Sequence, residues 1–168
     1  MAAGEDKDGV AVDGAFMVRH PASLVALVGG AGLAPVAPGT FGALVGLPLG
    51  LALDQLPLPV ALALIAAGFV LGIWACGLTA HRAGVHDHGA IVYDETWAMA
   101  AVVVLTPAGW PVLLAGFVAF RFFDIVKPWP IGLIDRKVAG GLGIMLDDAV
   151  AAIYAAALVT GVVVLGGF

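Results

Sequence analysis

Cysteine is nearly absent: Cys76 stands alone in 168 residues, so one chain can form neither a disulfide framework nor a cysteine-rich zinc site. It lies within an apolar run and is expected to serve packing. Charge is scarce as well, at 11% of residues, and the formal net charge of −5 arises from 12 acids against 7 bases. Without a basic patch, nucleic acid is not an expected partner. The first 20 residues carry Glu5, Asp6, Asp8 and Asp13 and lack the basic n-region and apolar h-region of a cleavable secretory signal. Residues 1–20 are therefore expected to be a disordered, acidic cytoplasmic tail.

Apolar residues, by contrast, make up 62% of the chain and the mean hydropathy is +1.08, against about 45–50% apolar in soluble globular proteins. Such a composition belongs in lipid. The length leaves room for one unit of several spans of about 20 residues each, so residues 21–168 are expected to form a single helical membrane domain.

Five apolar runs follow, at about 40–53, 59–79, 95–106, 109–123 and 148–168. Asp54, Pro57 and Pro59 punctuate the first short turn, and Pro107 and Gly109 the second. Residues 22–34 are apolar but broken by Gly29, Gly30 and Gly32, which suits an interfacial or re-entrant helix. The expected fold is all-α: a compact helical integral membrane protein with about four to five membrane-embedded helices and an interfacial N-terminal helix. Runs three and four are short for a core of roughly 30 Å and could form a re-entrant hairpin.

The seven bases, Lys7, Arg19, Arg82, Arg121, Lys127, Arg136 and Lys137, fall on one side if the runs alternate, whereas Asp54 alone is charged on the other. The positive-inside rule makes the basic side cytoplasmic, with the N-terminus inside and the C-terminus outside.

Ionisable groups at a membrane boundary are costly, so their gathering is informative. One cluster runs from His86-Asp87-His88-Gly89 to Asp94-Glu95, which open run three. A second holds Arg121, Asp124 and Lys127 at i, i+3 and i+6, before Pro128 stops the helix. A third is the glycine-rich stretch from Gly140 to Asp147-Asp148, read as a turn leading to two acids at the N-terminus of the last helix. Carboxylates without thiolates suit a hard cation such as Mg²⁺, which also takes substrate phosphate. Arg121 and Lys127 supply the cationic clamp that a phosphate needs. Gly39 and Thr40, after Pro38, add a candidate anion seat, with Thr40 as cap of the first span. His81, His86 and His88 do not have zincin spacing.

The segments PVAPGTFGALVGLP, HDHGAIVYDE and FRFFDIVKPWPIGLIDRKVAGGLGIMLDDAVA resemble the bacterial phosphatidylglycerophosphatase A family, from about Leu33 to Ala152. The resemblance implies magnesium-dependent hydrolysis of phosphatidylglycerophosphate to phosphatidylglycerol and phosphate at the cytoplasmic face of the bacterial inner membrane. Carried over by position, it implies Asp94, Glu95, Asp147 and Asp148 as metal ligands and Asp124, Arg121 and Lys127 as catalytic residues. Gly39, Thr40, Asp87 and His88 join Arg121 and Lys127 in substrate binding.

Competing signatures are missing: the D-x-D-x-[TV] of haloacid dehalogenase phosphatases, the K-x6-R-P and P-S-G-H of histidine-type lipid phosphatases, and the D-G-x2-A-R run of CDP-alcohol phosphotransferases. The alternative from another class is a small ion- or proton-coupled transporter, which would need polar residues at both ends of the spans. Homo-oligomerisation is left open.

Overall fold

A computed structural model describes residues 10–85 and 87–166. Its described residues are helical, without strands: α1 (Gly14–Val18), α2 (Pro21–Ala26), a 3-10 segment (Val28–Leu33), α3 (Pro38–Leu53), α4 (Leu58–Ala83), α5 (Tyr93–Leu105), α6 (Trp110–Val126), α7 (Ile131–Lys137) and α8 (Gly140–Gly166). The five apolar runs correspond to α3, α4, α5, α6 and α8. Of the segment expected as a tail, residues 1–9 lie outside the described residues; further on, Asp13 caps α1 and Phe16 is buried.

α4 and α8 are long and apolar enough to cross a membrane, at 26 and 27 residues or about 39 and 40 Å. α5 and α6 have 13 and 17 residues, about 20 and 26 Å.

Glycine sets how the helices meet. On α3, Gly42, Gly46 and Gly50 recur every fourth residue and face α5: added Cβ atoms would strike Val92, Thr96 with Met99, and Val103 with Ala100 in turn. This is the small-xxx-small device by which helices approach closely in lipid, and the order of contacts makes α3 and α5 parallel. The Thr96 hydroxyl reinforces the seam, lying 2.8 Å from Gly42 O and 2.9 Å from Val92 O. α4 runs the opposite way, tied to α5 by Trp97 Nε1 donating to Ile65 O (2.8 Å) and Tyr93 OH to Gly68 O (3.1 Å). Gly72 on α4 faces Met145 of α8, and Gly141 of α8 sits against the Ile73 carbonyl and Gly77.

Two apolar clusters fill the interior. One centres on Met99, Val102, Phe120 and Ala152; the other centres on Leu27, Ala75, Cys76 and Met145, where fully buried Cys76 serves packing as expected. Outward-facing side chains on α4 and α8, among them Leu62, Leu64, Val70, Ile153 and Val162, are exposed and apolar. A water-facing surface does not ordinarily carry so many.

Two local expectations are corrected. Asp147 and Asp148 do not cap a helix, because α8 begins at Gly140 and they lie about two turns inside it. Gly141 and Gly143 make close backbone approaches, to Ile73 and Val138, instead of forming a turn. Nor is Thr40 a cap: α3 starts at Pro38, whose ring presets the first helical φ, the N-cap is Ala37 in the left-handed region, and Thr40 N donates to Ala37 O at 2.9 Å.

Candidate active site

The helix directions bring the starts of α3, α5 and α8 together with the ends of α4 and α6. Asp94 and Glu95 occupy the first turn of α5, Arg121 and Asp124 the last two turns of α6, and Asp147 and Asp148 the third turn of α8. Among the described residues, Asp94, Glu95 and Asp148 form a group whose ligand atoms all lie within 4.8 Å of one another. Asp94 is 8% and Asp148 3% exposed. Asp124 lies near Asp148.

This crowding has a cost. Two like unit charges 4.8 Å apart repel by about 3–4 kcal/mol at an effective dielectric near 20, and the trio contains three such pairs. Asp94 Oδ1, Glu95 Oε2 and Asp148 Oδ2 are buried and have no hydrogen-bond partner. Three carboxylates this close, each with an unpartnered buried oxygen, fit a hard divalent cation, which would neutralise the repulsion and take up the orphaned lone pairs.

Arg121 borders the trio. Its guanidinium donates to Asp124 Oδ2, lies 3.8 Å from Glu95 Oε1, and keeps Nε buried without a partner. The N-terminal turn of α3 approaches from the other side. A Cβ on Gly39 would collide with the Glu95 carboxylate and come within 3.3 Å of the Arg121 guanidinium, so only glycine lets this backbone lie against both charges. Thr40 is half-buried next to it.

Lys127 separates from its sequence neighbours. It terminates α6 in the left-handed region, at φ 46°, and its ammonium donates to Asp135 Oδ1 at 2.6 Å and Asp147 Oδ2 at 2.7 Å. Asp147 is thus engaged by Lys127, whereas Asp148 joins the trio. Burial alone would lower the Lys127 pKa, but hydrogen bonds and charge from Asp135 and Asp147 outweigh it and hold it above the ordinary lysine value. Asp135, on α7, was not singled out in the sequence. Its position eight residues after Lys127 carries no signal, because Pro128 and Pro130 break the helix between them.

The remaining candidates lie in the loop between α4 and α5. His88 Nδ1 accepts from Ala90 N at 3.1 Å and shapes a turn; Asp87 is exposed, and neither belongs to the carboxylate trio. His86 lies outside the described residues. A cavity of about 910 Å³ lies elsewhere, between α6 and α8, lined by apolar residues that include Pro107, Val112, Val118, Phe122 and Val162. It offers no polar chemistry.

The profile of the family described as phosphatidylglycerophosphatase A matches residues 24–163. A relative of that name from Escherichia coli is 41% identical over 142 residues, 84% of this chain and 83% of the relative. Another of that name, from Haemophilus influenzae, is 45% identical over 142 residues, 83% of this chain and 87% of the relative. A Bacteroides thetaiotaomicron protein, provisionally named a phosphatidylinositol-3-phosphatase, is 35% identical over 153 residues, 84% of this chain and 95% of the relative. No solved structure matches.

Proposed function

Because the chain belongs to the phosphatidylglycerophosphatase A family, we propose that it hydrolyses the terminal phosphomonoester of phosphatidylglycerophosphate, releasing phosphatidylglycerol and inorganic phosphate, with magnesium as cofactor. The observation that carries this reading is the buried trio Asp94, Glu95 and Asp148 with its unpartnered oxygens beside Arg121. Asp94, Glu95 and Asp148 would hold the cation, which would supply Lewis-acid polarisation of a phosphoryl oxygen and a more acidic water.

The chain's own residues do the rest. Arg121 is held through one nitrogen, Nη1, which donates to Asp124 and lies 3.8 Å from Glu95, so the rest of the guanidinium is left to stabilise charge on the phosphoryl oxygens as the ester P–O bond breaks. In this reading Asp124 fixes that guanidinium, orients the attacking water, takes its proton and returns it to the departing glycerol oxygen. The α3 backbone at Gly39, with Thr40, closes the seat, and Lys127, bonded to the Asp147 that precedes Asp148, lends a second positive charge at this end of the bundle.

Membrane embedding is part of the proposal: a multi-pass protein of the bacterial inner membrane with this end of the bundle in the cytoplasm. Its support is the apolar exterior of α4 and α8 together with the basic residues gathered at the site end. The transporter alternative needs charge at both ends, and among the described residues the far end offers Asp54 alone.

Phosphate release by the purified protein in mild detergent, compared between phosphatidylglycerophosphate, phosphatidic acid and a phosphatidylinositol 3-phosphate, tests the reading. Preference for phosphatidylglycerophosphate is expected. Preference for the inositol lipid would reassign the substrate, and no release from any of them would refute the reading.

A further inference from the structure

Lys127 has more anion than it needs. Its ammonium touches two carboxylates at nearly equal distances, Asp135 Oδ1 at 2.6 Å and Asp147 Oδ2 at 2.7 Å, so Lys127 and its two partners together carry one negative charge beyond neutrality. The two contacts are not equivalent. The Asp147 side chain is 9% exposed and belongs to the third turn of α8, whereas that of Asp135 is 39% exposed and belongs to the short α7. Breaking a buried pair strands a charge, while an ion pair at the water boundary exchanges its partner at little cost. α7 itself is anchored without Asp135: Ile131 is fully buried, and a Cβ on Gly132 would meet the Lys127 carbonyl. The Asp135 side chain can therefore leave Lys127 while its backbone stays in place.

We propose that Asp135 is a positioning residue that stands in for the phosphoryl group: its carboxylate holds the Lys127 ammonium until the anionic substrate displaces it, while Asp147 keeps the lysine in position. The inference rests on the phosphatase reading above, in which Lys127 faces the phosphate. It makes Asp135 a competitor of phosphate for one cation. Removing the competitor therefore tightens phosphate binding. A purely structural Asp135 would do the opposite, since its loss would loosen Lys127 and weaken binding.

The test compares wild type, Asp135→Asn and Asp135→Glu, each solubilised in detergent. Inorganic phosphate binding is measured by calorimetry with magnesium present, and KM and kcat are measured for phosphatidylglycerophosphate. Asp135→Asn is expected to bind phosphate about two- to fivefold more tightly, the range of a boundary ion pair, with KM lowered in parallel; Asp135→Glu restores wild-type values. Phosphate affinity that is unchanged or weaker in Asp135→Asn overturns the inference, as does absence of phosphate binding to both proteins. The binding arm needs no turnover. Tighter phosphate binding without hydrolysis by wild type would count against the substrate assignment alone.

Discussion

Among the acids, adjacency in sequence does not mean shared work. Asp147 and Asp148 are neighbours on α8, yet one bonds to Lys127 and the other belongs to the carboxylate trio, because successive helical residues point about 100° apart. The two therefore fail differently when altered. Asp148→Asn is expected to weaken magnesium activation and lower kcat by about 100-fold or more, the scale of losing one preorganised electrostatic group, with little loss of thermal stability. Asp147→Asn is expected to keep its magnesium dependence while losing about 1–3 kcal/mol of stability, discounted because Lys127 is part-exposed. Magnesium titrations of the rate and thermal unfolding of both variants check this; equal magnesium dependence in the two would remove the distinction. The sequence showed both acids as candidates but not their division. Asp135 was hidden altogether, since its partnership with Lys127 depends on how the chain turns between α6 and α7.

At the scale of elements, the five apolar helices were legible in the sequence because hydrophobic runs bounded by proline, glycine and charge leave little choice of structure. The start of α8 and the role of its glycines were not. Glycines ahead of acids read locally as a turn, and only the neighbouring helix reveals that Gly141 is needed for close approach to Ile73. The Gly42, Gly46, Gly50 stripe was present in the sequence as a four-residue repeat, and its α5 partner follows only from the packing. α7 escaped because seven residues are too few for a periodic signal. Two variants expose these contacts: Gly46→Ala and Gly141→Ala should each gain up to about 1 kcal/mol of helix propensity. Both place a Cβ against backbone, at Thr96 O and Ile73 O, where overpacking costs typically 1–3 kcal/mol or more. A net loss of stability is expected, read as a lowered unfolding midpoint in detergent. A raised midpoint would show that these helices have slack.

For the whole molecule, polar chemistry at one end and an apolar surface elsewhere set an orientation. Alternating hydropathy and the one-sided bases made that polarity legible, whereas the depth of the site, about two turns inside α8, came only from helix packing. Cys76 is fully buried, which leaves a quiet background for introduced cysteines. In intact cells, Gln55→Cys at the far turn should react with a membrane-impermeant maleimide, and Lys137→Cys beyond the site should react only after permeabilisation. The reverse pattern would place the site on the outer face.

Activity of the proposed kind requires that the carboxylates of α5 and α8 form a magnesium site for phosphomonoester hydrolysis. The most direct test is phosphate release from phosphatidylglycerophosphate as magnesium is titrated into metal-stripped wild type and Asp94→Asn. Saturable magnesium activation is expected in wild type, and in the variant a rate at least about 100-fold lower or a need for far more magnesium. Full activity without divalent metal, or an Asp94→Asn titration that overlays wild type, would contradict it.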